Sequence, residues 1–319
     1  MRIATQARYG GPEVMLVREV PIPQPRASEV LVEMRAAALS LAECAFRKAD
    51  PPIVRLFGGL FAPPHNRALG SEFSGVVAAV GEQVTDFQPG DAVFGATGAG
   101  LGAHAEYFLV DKWAAMIRRP AGLDHVEAAG LAYSFLTAMP FLRDEAKLRP
   151  GQHILINGAA GSVGLCAVQL ARHMGARVTA VCGPRNVAFL QGLGVEAVID
   201  YSRSDFTAAR AVYDVIFDAV GKSSYRRCRE ALAPGGVYLT TVPSWAIVWA
   251  MLTRRPARLA TTGLRPAAAK RRDLALIEGL IRDGALRPMT DRVFSLADIA
   301  AAHAYVDLER KRGEVVIVP

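Results

Sequence analysis

The sequence predicts an α/β protein in which a β-rich N-terminal part precedes a doubly wound parallel sheet. Three observations carry that prediction. Across residues 29–110, short apolar or alternating runs are separated by turn residues: 29–34 (EVLVEM) alternates, 75–80 (GVVAAV) is apolar, and Pro89-Gly90-Asp91 breaks the chain before 92–94 and 105–110. After Pro120 the pattern changes, and β-type runs at 153–157, 177–182, 197–200, 213–219 and 236–241 follow one another among helical segments. Alternation of this kind gives a parallel sheet with helices on its faces. Third, a glycine-rich string joins the first of those runs to a helix.

The helices expected are 124–142, 162–174, 187–193 (stopped by Gly194), 273–283 and 296–308, with a last strand at 314–318. The C-terminal stretch is too short to fold alone and is expected to complete the first domain. The domains are therefore 1–121 with 266–319, and 122–265 between them. With 319 residues, 51% of them hydrophobic and 21% charged, the composition is that of an ordinary globular protein of two domains.

The net charge of +7 is spread along the chain, and no basic stripe interleaved with aromatics marks a nucleic-acid surface. No run reaches the ~20 apolar residues needed to span a bilayer, so no stable membrane insertion is expected. Residues 1–17 lack a signal pattern, and a cytoplasmic location follows. Cys44, Cys166, Cys182 and Cys228 form no close ligand pair, and Cys166 and Cys182 read as small buried hydrophobes.

The glycine-rich string is Gly158-Ala159-Ala160-Gly161-Ser162-Val163-Gly164. Glycines there permit a tight turn and bring backbone N–H groups to a pyrophosphate at the positive end of the following helix, with Gly164 allowing close helix–strand packing. The alternative is a purely structural turn. NAD-binding sheets carry an acid at the end of the second strand, ~20 residues on. Here that stretch is Val181-Cys182-Gly183-Pro184-Arg185-Asn186, without an acid. Gly183 leaves room for a 2′-phosphate to which Arg185 and Asn186 donate, so NADPH is the expected cofactor.

The loop GAAGSVG, the segments LCAVQLARHMGA, NVAFLQGLGVEAVIDY and YDVIFDAVG, the N-terminal LGSEFSGVVAAVG and FQPGDAVFG, and the C-terminal SLADIAAAHAYVDLERKRGEVVIVP together resemble the medium-chain dehydrogenase/reductase superfamily. More narrowly they are similar to its zinc-independent quinone oxidoreductase, zeta-crystallin-like branch, over nearly the whole chain. The resemblance implies a GroES-like catalytic domain built from both chain ends, a central Rossmann domain and an active site in the cleft between them. It adds Tyr201 beside the 2′-phosphate, Ala219, Val220 and Gly221 beside the ribose, and Thr241, Val242, Pro243 and Thr137 near the nicotinamide. Asn186 stands where many relatives have lysine.

The zinc alcohol dehydrogenases of this superfamily place ligands where this sequence has Ser40, Ser71 and the neighbourhood of Tyr133, and only Glu72 remains. His65, His104 and His125 are scattered, so no metal is expected. Without a Lewis acid, simple alcohols are poor substrates, whereas a quinone or enone accepts hydride given orientation and hydrogen bonds at its oxygen. Ser40, Tyr133 and Thr137 are the candidate donors, with Tyr133 as a packed aromatic the alternative. The expected function is an NADPH-dependent reductase of quinones or α,β-unsaturated carbonyls, acting as a homodimer. The exposed edge expected at residues 236–242 is the candidate pairing strand. A non-enzymatic NADPH-binding protein, crystallin-like or RNA-binding, and an atypical alcohol dehydrogenase are the alternatives.

Overall fold

The computed structural model describes residues 1–50, 55, 59–63, 68–98, 101–242, 245–253, 255–259 and 265–319. His65 and Pro243, singled out above, lie outside the described residues.

The chain begins with an antiparallel ribbon of β1 (Arg2–Gln6) and β2 (Met15–Glu19). Strand β3 (Glu29–Leu39) follows, longer than the alternation alone predicts, because Ala36, Ala37, Ala38 and Leu39 extend it as a fully buried strand. Helix α1 (Leu41–Lys48) comes next, then β4 (Glu72–Val80), β5 (Ala92–Ala96), β6 (Tyr107–Asp111), β7 (Ala115–Arg118) and α2 (His125–Pro140). Pro140 is the last residue of α2, and the chain continues for one wider turn, with the Ala146 N–H donating to the Phe141 carbonyl at 2.9 Å.

The central run supplies β8 (His153–Asn157), α3 (Ser162–His173), β9 (Arg177–Cys182), α4 (Val187–Gly192), β10 (Ala197–Asp200), β11 (Tyr213–Asp218), α5 (Tyr225–Cys228), β12 (Leu232–Thr240), α6 (Trp245–Leu252) and β13 (Ala257–Leu259). These strands form one sheet in the order β10-β9-β8-β11-β12-β13, every pair parallel. Counted from β8, the order is 3-2-1-4-5-6, which reverses direction between β8 and β11. In such sheets ligands bind at the carboxyl ends of the strands at that reversal. The expected edge at residues 236–242 is not one: β13 pairs with Tyr238–Thr240 and covers it. Three residues of β13 gave too little apolar pattern to be read.

After α7 (Ala267–Arg282) come β14 (Thr290–Ser295), α8 (Ile299–Asp307) and β15 (Glu314–Val318). Strand β15 pairs antiparallel with Ala37–Leu39 of β3, while β6 pairs with the first half of β3. The C-terminal strand thus returns to the N-terminal sheet, whose order is β14-β15-β3-β4-β5-β7 with β6 joined to β3. Its core holds Val30, Val32, Met34, Phe73, Val77, Val93, Phe108 and Met116. The Phe73 and Phe108 rings meet edge to face at 4.8 Å between centroids.

Two compact units result. The first holds Met1–Tyr133, Pro266–Glu278 and Pro288–Pro319, and the second Ser134–Arg265 with Gly279–Arg287. Two of the four boundaries, at 133/134 and 278/279, fall within helices α2 and α7, and the other two, at 265/266 and 287/288, fall in connecting segments. All four cysteines are free and buried. No helix among the described residues is long and apolar enough to cross a membrane.

Candidate active site

In the second unit, the loop after β8 packs against the loops after β11 and β12. Gly158 has φ +77°, and its N–H and that of Ala159 both donate to the Val181 carbonyl, at 3.1 and 3.0 Å. A Cβ at Gly158 would lie 2.4 Å from a Val220 methyl. One at Gly164 would lie 2.1 Å from the Gly158 carbonyl oxygen, so helix α3 sits directly on the loop only because that position is glycine. Gly161 differs: it caps α3 without a side-chain acceptor, and a Cβ there would meet only the Gly158 oxygen, at 3.5 Å. The loop therefore leaves open space over the first turn of α3, where N–H groups lack intrahelical acceptors. That is the cradle an anionic pyrophosphate requires. Ala159, Ala160, Ser162 and Val163 are buried beneath it.

One residue missed in the sequence ties these loops together. Asp218, at the end of β11, is fully buried, and its carboxyl accepts four hydrogen bonds. Asn157 Nδ2 (2.9 Å) and the Val220 N–H (3.3 Å) reach one oxygen; the Ser223 N–H (2.8 Å) and the Tyr238 hydroxyl (3.0 Å) reach the other. Burial first, and then the Asp218 charge, push the Tyr238 phenol far above its usual range. Thr241 closes the second side, its hydroxyl donating to the Ala219 carbonyl at 3.1 Å and its N–H to that of Asp218 at 3.3 Å. Val242 packs over Gly221, which has φ +65°. The only sequence signal for Asp218 was a polar residue ending an apolar strand.

At the ends of β9 and β10, Cys182 pairs with Asp200, which places Gly183 beside Tyr201. A Cβ at Gly183 would come within 2.8 Å of the Tyr201 hydroxyl. Arg185 is exposed and Asn186 half-buried in the turn that follows, and the Asn186 N–H donates to the Gly183 carbonyl at 3.0 Å. The nearby carboxylate of Asp200 is turned to Ser202, accepting from its N–H at 2.9 Å and its hydroxyl at 2.7 Å.

In the first unit, Ser40 caps α1 in a reciprocal capping box with Glu43. The Ser40 N–H donates to Glu43 Oε2 at 2.9 Å, its hydroxyl donates to the same oxygen, and the Ala42 N–H donates to Ser40 Oγ at 3.1 Å. The spacing Ser40-Leu41-Ala42-Glu43 was legible as this motif, though Glu43 was not singled out. Ser71 Oγ lies 2.6 Å from Glu43 Oε1 and 2.5 Å from Glu72 Oε2. Tyr133 is hydrogen-bonded to Ser40, and burial, then the charge of Glu43, push its phenol well above the usual range. Burial and then Glu43 likewise push Glu72 up to about 8, against the pull of Ser71 and Lys270. The structure thus joins Ser40 to Tyr133. Between Ala128 and Leu142 only Tyr133 and Thr137 keep partial exposure, and a spacing of four puts them on one face of α2.

His104 contacts the Ala38 carbonyl through Nε2 at 2.9 Å, and His125 contacts Ser74 Oγ at 2.8 Å. Burial lowers the pKa of both. No group of three or more His, Cys, Asp or Glu able to hold a metal is present among the described residues.

Residues 26–120 match the alcohol dehydrogenase GroES-like domain family and residues 193–317 the family described as zinc-binding dehydrogenase. A quinone oxidoreductase of Pseudomonas aeruginosa is 31% identical, over 98% of this chain and 98% of its own. The chain belongs to the quinone oxidoreductase branch of the medium-chain dehydrogenase/reductase superfamily. A 2-haloacrylate reductase from a Burkholderia species is 27% identical, over 98% of this chain and 97% of its own. The quinone oxidoreductase structure from Coxiella burnetii superposes with a TM-score of 0.89 at 27% identity, covering 100% of this chain and 99% of that one. Membership of this branch makes the chain an oxidoreductase, with the GroES-like and Rossmann architecture that the sequence predicted.

Proposed function

We propose that the chain reduces a quinone or α,β-unsaturated carbonyl with NADPH and without a metal. The observation that carries this reading is the open glycine cradle of the second unit; the first unit, taken by itself, brings together hydroxyl and carboxyl oxygens at Ser40, Ser71, Glu72 and Tyr133. Those oxygens do not fit zinc, which takes thiolate and imidazole at such sites, and both serines are already engaged with Glu43. The names of the relatives agree: one reduces quinones and another an activated alkene.

Bound NADPH would supply the hydride. The Gly158–Val163 loop would hold its pyrophosphate on backbone N–H groups. Gly183 would let the Tyr201 hydroxyl lie close to the chain there, and Tyr201, Arg185 and Asn186 would flank the 2′-phosphate. Loops Ala219–Gly221 and Thr241–Val242, with Pro243 beyond the described residues, would flank the ribose and nicotinamide. Ser40, Tyr133 and Thr137 would orient the acceptor and stabilise charge at its oxygen. A cytoplasmic homodimer acting on a small molecule completes the proposal.

The test is NADPH oxidation at 340 nm with naphthoquinones and enones in chelator-treated buffer. Metal-independent turnover with NADPH preferred is expected; equal use of NADH, or a requirement for stoichiometric zinc, would refute it. Arg185→Ala should weaken NADPH binding roughly tenfold while leaving NADH unchanged, because one charged hydrogen bond is worth ~1.5 kcal/mol. Ser40→Ala and Tyr133→Phe should each lower kcat/KM about tenfold, the loss of ~1 to 1.5 kcal/mol. Unchanged kinetics in both variants would remove them from the site.

A further inference from the structure

Strand β9 ends without an acid, but its neighbour β10 ends on one, Asp200. Asp200 pairs in register with Cys182, and neighbouring strands run ~4.8 Å apart. The Tyr201 N–H donates to the Cys182 carbonyl at 3.1 Å, and the exposed Tyr201 brings its hydroxyl close to Gly183. A carboxylate therefore stands one strand away from Gly183, Arg185 and Asn186. Its charge reaches β9: burial first, and then Asp200, push the Cys182 thiol up to about 11. A phosphate monoester carries a charge of about −1.5 to −2 at neutral pH, and a carboxylate free to swing toward it would oppose its binding.

This carboxylate is not free to swing. Its Oδ1 accepts from both the N–H of Ser202, at 2.9 Å, and the Ser202 hydroxyl, at 2.7 Å. The Asp200 carbonyl accepts from the N–H groups of Arg203 and Ser204, at 3.0 Å each. Asp200 is thus committed, backbone and side chain, to the donors of its own turn. The backbone N–H of residue 202 is present whatever the side chain, so the hydroxyl is the part of this grip that the sequence specifies. Without it Oδ1 keeps one donor in place of two, and the side chain regains its other staggered positions.

We infer that Ser202 is a positioning residue for cofactor choice: its hydroxyl holds the Asp200 carboxylate in the turn, so that Arg185, Asn186 and Tyr201 can take up a 2′-phosphate. The inference rests on the proposed reading that the chain binds NADPH at the ends of β9 and β10. Ser202 acts through Asp200 and needs no contact with the cofactor. NADPH and NADH differ only by the 2′-phosphate, so this role predicts an effect on NADPH alone. A role confined to the shape of the turn predicts equal effects on both.

Fluorescence titration of the full chain with NADPH and with NADH, in the absence of any acceptor, reads this directly. Ser202→Ala should weaken NADPH roughly fivefold and leave NADH unchanged. Ser202→Thr, which keeps the hydroxyl, should bind both as wild type does. Adding Asp200→Asn to Ser202→Ala should restore NADPH affinity, because an amide has no charge to release. In about 1 M salt, where charges are screened over ~3 Å, the gap between wild type and Ser202→Ala should narrow to less than about twofold. The inference fails if Ser202→Ala binds NADPH with wild-type affinity, if NADH weakens equally, or if Asp200→Asn gives no rescue. Any of those results in a wild-type chain that still prefers NADPH leaves the NADPH reading standing and removes Ser202 from it. A wild-type chain that binds both dinucleotides equally removes the NADPH reading, and the inference with it.

Discussion

Asp218→Ala should destabilise the second unit by about 3 kcal/mol or more and lower its melting temperature by roughly 10 °C. The carboxyl it removes is fully buried and accepts from Asn157, Val220, Ser223 and Tyr238, two donors to each oxygen. Alanine supplies no acceptor, and each buried donor left unpaired costs ~1 to 3 kcal/mol. The cost has a functional side, because Val220 packs on Gly158 and the Val220 N–H is one of the four donors. Loosening it should also weaken NADPH binding. Asp218→Asn keeps the shape but turns an amide N–H₂ toward donor groups, so it should fall between wild type and alanine. Thermal unfolding followed by circular dichroism, with NADPH fluorescence titration beside it, measures both effects. A melting temperature within ~2 °C of wild type in Asp218→Ala would show that water replaces the carboxylate and that Asp218 does not hold the loops.

Asp218 also marks where the sequence stopped being legible. Strand β8 and helix α3 were readable because a fully buried strand is continuously apolar and an amphipathic helix is periodic, and both patterns are local. The loop between them was readable because glycine has few substitutes where φ is positive and helix and strand touch. Asp218 depends instead on partners up to 61 positions away, among them Asn157, and no local pattern carries such a pairing. The same holds for the first unit. Ser40 and Glu43 are three apart and announce a capping box, but the contact of Glu43 with Ser71 spans 28 positions and exists only once β4 and α1 are in place. Strands β13 and β14 were missed for a different reason: β13 has three residues, and β14 is largely exposed and polar. Local chemistry therefore made the glycine-rich loop legible, while the cluster of Glu43, Ser71 and Glu72 emerged only from long-range packing.

Gly161 and Gly164, two of the three glycines of this loop, separate folding from the proposed cofactor binding, and their substitution should give different results. Gly164→Ala places a methyl 2.1 Å from the Gly158 carbonyl oxygen and 2.8 Å from Ala159 Cα, both backbone atoms that no side-chain rotation can clear. Helix α3 must then lift from the loop, with an overpacking cost of ~1 to 3 kcal/mol, and both stability and NADPH binding should fall. Gly161→Ala places a methyl in open space, 3.5 Å from its nearest neighbour, at a residue whose φ of −77° suits alanine. Stability should therefore stay within ~0.5 kcal/mol of wild type. If the cradle holds a pyrophosphate on its backbone N–H groups, however, that methyl occupies the approach, and losing one or two charged hydrogen bonds worth ~1.5 kcal/mol each should weaken NADPH binding roughly tenfold to a hundredfold. Calorimetric unfolding and fluorescence titration of the two variants distinguish these effects. A Gly161→Ala protein that melts like wild type and binds NADPH with full affinity would show that the open face of the loop is not where the phosphates lie, and the turn would then be structural. The joint outcome, a stable protein that has lost its cofactor beside one that has lost both, is what a loop serving helix packing through Gly164 and anion binding through Gly161 requires.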